Sequence, residues 1–155
     1  MGVTIHYAGR LTEPDKLPRL LDFVRGFAES RAWPFRVLQR ENSATPYGFV
    51  LLPHPDCEPV EFEFGPRFRF EGWVKTQFAG PRTHIEVIDF LRQIQPLIGR
   101  LGVRDEAGYW TTGNENTLHR HMNNINDLIA EAAANDPNVR TQVRAPDGRI
   151  IDMIQ

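Results

Sequence analysis

The chain has little sulfur and little lysine: one cysteine, Cys57, and two lysines, Lys16 and Lys75, among 18 basic residues. A lone cysteine excludes an intrachain disulfide framework. No apolar run approaches the length of a membrane span, and the opening MGVTIHYAGR lacks the apolar core of a secretory signal. These absences predict a cytoplasmic protein that does not engage membranes. An excess of one charge is lacking too. Eighteen basic against 20 acidic residues leave a formal −2, which argues against a general nucleic-acid binder. Repeats, low-complexity tracts and Pro/Gly linkers are absent, so residues 1–155 read as one α+β domain. The scarcity of lysine leaves two residues for any chemistry that needs a small titratable amine.

What is present suffices for a core. At 155 residues with 41% hydrophobic side chains, the chain can bury roughly two-thirds of its unfolded surface. Residues 3–8, VTIHYA, suit a first strand. Thr12 to Asp15 has the form of a capping box ahead of a helix whose stripe is Leu17, Leu20, Leu21, Val24, Phe27 and Ala28. Trp33-Pro34 closes that helix, and strands follow at 35–40 and 47–52. Three prolines in 53–59 make a stiff connection. Apolar and charged residues then alternate through Val60–Phe64 and Phe68–Phe70. A three-residue loop, Gly65-Pro66-Arg67, places Phe64 opposite Phe68 and Phe62 opposite Phe70. It also places Glu61 opposite Glu71, which calls for a bulge at Gly72. A second helix carries Ile85, Ile88, Leu91, Ile94 and Ile98, with a kink expected at Pro96 and an end at Gly99 or Gly102. Residues 103–112 read as strand-like or irregular. Asn114 caps a third helix with the stripe Leu118, Met122, Ile125, Ile129 and Ala132. A hairpin around Ala145-Pro-Asp-Gly148 closes the chain. Strands clustered in this way predict a largely antiparallel sheet with about three helices mainly on one face.

Three segments carry residues that could do chemistry. In His54-Pro-Asp-Cys57-Glu58, a histidine and a cysteine three apart could share a zinc ion. The remaining ligands would have to come from His6, His84, Asp105 or Glu106, with no spacing rule behind them. Cys57 could instead be a nucleophile with His54 or His84 as its base, and Glu58 beside it. Acidic neighbours disfavour the thiolate, and a proline-rich turn with a buried cysteine is the plainer reading. On a strand over 73–78, Trp73, Lys75 and Gln77 share one face, just upstream of a helix whose first turn holds Arg82. That combination suits a small anion, against the plainer reading of a solvated sheet face. His84 borders the apolar stripe of its helix, as a hydrogen-bonded histidine would. In the segment 104–113, Tyr109 and Trp110 could stack on a ligand. Asp105 and Glu106 would point to opposite faces of a strand and could not pair.

The runs VTIHYAGRL, HPDCEPVEFEF, KTQFAGPRTHIEVIDFLR and VRDEAGYW, spanning about residues 3–112, resemble a family of small bacterial proteins to which no activity is attached. The resemblance implies a bacterial, intracellular α+β domain and carries no cofactor or catalytic residue.

These readings favour a non-enzymatic module that needs no cofactor and binds a small anion or a partner protein. Its ligand site would draw on Trp73, Lys75, Gln77, Arg82, Tyr109 and Trp110. The alternatives are a small hydrolase using His54, Cys57, Glu58 and His84, or a homo-oligomer joined through the apolar strand Ile150–Ile154.

Overall fold

Inward and outward residues alternate along Thr4–Leu11, the first strand, β1: Ile5, Tyr7 and Leu11 are buried, while His6, Ala8 and Arg10 lie on the other face. The computed structural model describes residues 2–155. After β1 come α1 (Leu17–Arg31), β2 (Phe35–Leu38), β3 (Gly48–Leu51), β4 (Val60–Glu63) and β5 (Arg69–Lys75). The chain continues through α2 (Pro81–Ile98), β6 (Gly99–Asp105), α3 (Tyr109–Thr112), α4 (Glu115–Asn135), β7 (Arg140–Arg144) and β8 (Ile150–Ile154). This is an α+β fold with antiparallel sheets. It has four helices among the described residues, because Tyr109–Thr112 coils into a single turn where a strand-like run was expected.

β1 is the centre of a three-stranded sheet of order β5–β1–β6, antiparallel on both sides. β5 and β6 therefore run parallel to each other with β1 between them, and α2 connects them as a split β-α-β unit. A second sheet has the order β2–β3–β4, and β7–β8 is a separate hairpin. The buried stripes of α1 and α2 pack with Ile5, Tyr7, Phe49, Phe62, Phe70 and Val74 into one core. A smaller cluster joins Leu118 and Met122 of α4 to Val3 and Ala107.

Several local expectations are met. The six predicted stripe residues of α1 are all buried. Asn114 caps α4, its side chain accepting from Thr117 N at 3.1 Å. The last hairpin turns through Ala145–Gly148. Others are corrected. The capping box does not form: Pro14–Lys16 makes a 3-10 turn, and the Thr12 hydroxyl donates to Ile98 O instead. The end of α2 is as expected: the helix includes Pro96, continues to Ile98 and ends at Gly99 with φ 97°. A side chain at Gly99 would meet Thr12 Oγ1 at 2.0 Å, and β6 starts at once.

The β4–β5 turn falls one residue later than the alternation predicts. Gly65 N donates to Arg69 O at 2.8 Å, so Pro66, Arg67 and Phe68 form the tip, with positive φ at Arg67 and Phe68. Phe64 accordingly packs edge-on against Phe70 at 5.7 Å, and Phe68 is exposed. The resulting register shift of two residues keeps apolar side chains on the expected face and moves Glu71 from opposite Glu61 to opposite Glu63, while Gly72 stays in continuous register with Tyr7, without a bulge. No ladder joins β4 to β5. The Tyr7 side chain crosses Gly72, where a Cβ would lie 2.7 Å from its ring, and reaches the Glu61 backbone. Its hydroxyl donates to Glu61 O at 2.7 Å and accepts from Glu61 N at 3.0 Å. One phenol thus replaces the hydrogen bonds of a missing ladder pair.

Candidate functional site

The 54–58 segment is a structural turn. His54 is exposed, and its Nδ1 accepts from Asp56 N at 3.0 Å. Cys57 is fully buried; burial and the neighbouring Glu58 charge push its thiol up to about 12, so the thiolate a nucleophile needs is suppressed. Glu58 is also buried, and its two oxygens accept from Lys75 N and Ile150 N, both at 2.8 Å. Among the described residues, no group of three or more His, Cys, Asp or Glu side chains is placed to hold a metal ion.

The second and third segments do converge, in the interior. His84 Nε2 donates to Asp105 Oδ2 at 3.0 Å, and the Thr76 hydroxyl lies 2.7 Å from Nδ1. Asp105 also accepts from Ala107 N and Trp110 N. Burial would raise the Asp105 carboxyl, but the hydrogen bonds from His84 and the two backbone amides outweigh it and hold the group below the usual carboxylate value. With Asp105 ionised, His84 Nε2 is the donor to it, and Nδ1 is left facing the Thr76 hydroxyl. The order hydroxyl–imidazole–carboxylate is that of a nucleophilic relay. Yet Thr76 and the side chains of His84 and Asp105 are all but inaccessible, so no substrate can reach the hydroxyl. The relay instead fastens the start of α2 to the end of β6.

The remaining predicted residues are dispersed. Gln77 is buried; its amide donates to Met122 O and Asn126 Oδ1 and accepts from Val3 N, which ties α4 to the sheet end. It does not share an open face with Trp73, because β5 ends at Lys75. Lys75 Nζ donates to Ile150 O at 2.8 Å and pairs with Asp152 at 3.0 Å. Arg82 is almost fully exposed and pairs with Glu86 at 3.6 Å. Tyr109 lies edge-on to His84, and Trp110 is covered by the Arg92 guanidinium at 4.5 Å.

Trp73 is different: 44% exposed on the outer face of the β5–β1–β6 sheet. The ladder sets it directly opposite His6, which is in turn opposite Arg104. The next row on that face is Glu71, Ala8 and Gly102. Small side chains at Ala8 and Gly102 leave an open depression of about 400 Å3 walled by Trp73, His6, Arg104 and Glu71. Arg149 stacks on the Trp73 ring at 4.3 Å and donates to Trp73 O, and His6 Nε2 donates to Glu106 Oε1 at 3.0 Å. The Arg104 side chain makes no hydrogen bond or ion pair with the described residues. Arg104 was not among the expected site residues. Alternation in β1 and β6 would place His6 and Arg104 on strand faces, but their meeting with Trp73 depends on pairings about 67 and 98 residues apart, from His6↔Trp73 and His6↔Arg104.

Compared with family models, with curated proteins and with solved structures, the chain shows no match.

Proposed function

We propose that the protein is a non-enzymatic binding module that takes a small anionic ligand on the outer face of the β5–β1–β6 sheet. The observation that carries this reading is the Trp73–His6–Arg104 row, in register above a floor of Ala8 and Gly102. The Trp73 indole, the His6 imidazole beside Glu106, and the Arg104 guanidinium, which has no carboxylate partner among the described residues, offer stacking, hydrogen bonding and positive charge to one ligand. The hydrolytic alternative has less support, because Cys57, Glu58 and His84 are all buried and hydrogen-bonded or desolvated.

The test is a thermal-shift panel of anionic metabolites, followed by tryptophan fluorescence titration of each hit. A ligand near a hundred times its Kd should raise Tm by roughly 5–10 °C. Trp73→Ala and Arg104→Met should abolish that shift while preserving the circular dichroism of the fold. A panel without a hit, or hits that both variants keep, overturns the reading.

A further inference from the structure

At the other end of the same sheet face stand three arginines. The ladder places Arg10 of β1 directly opposite Arg69 of β5 and directly opposite Arg100 of β6. Like charges opposite one another in an antiparallel pair oppose folding, and here the repulsion acts across both neighbours of the central strand. No carboxylate among the described residues lies within ion-pair distance of any of the three. Arg10 Nε is shut off from solvent and has no acceptor among the described residues. Three arginines elsewhere have partners, Arg149 with Trp73, Arg144 with Pro55 and Gly148, and Arg92 with Trp110. A chain with a formal charge of −2 thus concentrates three unneutralised guanidiniums in one row.

We infer that this row binds the phosphate chain of a small oligophosphate ligand, an assignment that rests on the sheet face being the ligand face. Guanidinium forks match phosphate oxygens two at a time. Opposed Cα atoms are about 5 Å apart, so the three arginines are spread over about 10 Å of sheet, a row along which an extended anion can lie. Two or three linked phosphates give each arginine its own oxygens. Glu63 and Glu71 line a depression of about 500 Å3 beside Arg69 and bound the basic row on that side. That boundary favours a short phosphate chain over a nucleic-acid strand, which needs a continuous basic track. From the row, the floor of Ala8 and Gly102 leads towards Trp73 and His6, where the rest of such a ligand would lie.

The probe is inorganic tripolyphosphate, titrated by calorimetry into the wild type, Arg10→Met, Arg69→Met and the control Arg120→Met, which removes the same charge from an exposed site on α4. Losing one charge-assisted pair should weaken binding about tenfold or more at positions 10 and 69 and less than about twofold at 120. Arg10→Met should also raise Tm without ligand, since it relieves the repulsion, whereas a purely structural arginine would lower it. Sulfate binding as tightly as tripolyphosphate, or a short oligothymidylate outcompeting it, overturns the assignment. If tripolyphosphate fails to bind while another anion still quenches Trp73, the inference falls and the binding-face reading stands. If neither anion binds, both fall.

Discussion

Asp105 accepts three hydrogen bonds, from His84 Nε2 and from the amides of Ala107 and Trp110. Asparagine at this position has one acceptor oxygen and an amide that would face an N–H donor, so at least one buried donor loses its partner. Asp105→Asn should cost about 1–3 kcal/mol, or roughly 2–10 °C in Tm, at neutral pH. Because the folded carboxyl is held below its usual value, its contribution is complete above the unfolded pKa of about 4 and is lost as pH falls through the folded one. Denaturant midpoints measured downward from pH 6 should therefore converge for wild type and variant; a constant gap would contradict the assignment. The sequence made His84 legible as a hydrogen-bonded helix residue beside an apolar stripe. Its two partners were not legible, because Thr76 precedes the helix and Asp105 ends a strand on the far side of it.

Helices were read most faithfully, since a stripe such as Leu17–Ala28 is local and repeats every turn. Elements defined by pairing were read less well. The register of the β4–β5 turn depends on left-handed backbone at Arg67 and Phe68, for which neither residue type gives a signal. The β7–β8 hairpin was predicted, but not its attachment. Glu58 receives Ile150 N, Lys75 reaches Ile150 O and Asp152, and Arg149 donates to Trp73 O. Ile150 is the one fully buried apolar residue on β8, so docking is largely polar. Lys75→Met should open the hairpin locally: amide exchange in β8 rises at least about tenfold while α2 stays protected. Equal acceleration in α2 would show that the hairpin unfolds only with the whole protein. Burial raises the Asp152 carboxyl, yet the hydrogen bond from Lys75 and that from Gly2 N outweigh it, leaving the group below its usual value. In the wild type, β8 protection should accordingly hold above the unfolded pKa and fall in acid as Asp152 takes up a proton.

For the whole molecule, the clustering of predicted strands gave the α+β class and composition the near-neutral charge, but neither could locate a ligand face. Trp73 was legible as an unusual aromatic; its neighbours became visible only when β1 was found between β5 and β6. That central strand also joins the two larger sheets. β5–β1–β6 and β2–β3–β4 share no ladder, and Tyr7 closes the seam through both backbone groups of Glu61 while stacking on Phe62 at 4.7 Å. Burial raises the phenol well above its ordinary value, so its proton stays in place at any pH where the fold persists. Tyr7→Phe keeps the ring, its stacking and its passage over Gly72, and removes only the hydroxyl. The Glu61 N–H and carbonyl then lose their partner together, at a cost of about 1–3 kcal/mol. The expected result is a Tm lower by roughly 2–10 °C, with faster amide exchange at Glu61 than at Phe49 in the neighbouring strand. A variant as stable as the wild type, with Glu61 still protected, would mean that the sheets are held together by core packing alone and that the phenol bridge contributes nothing measurable.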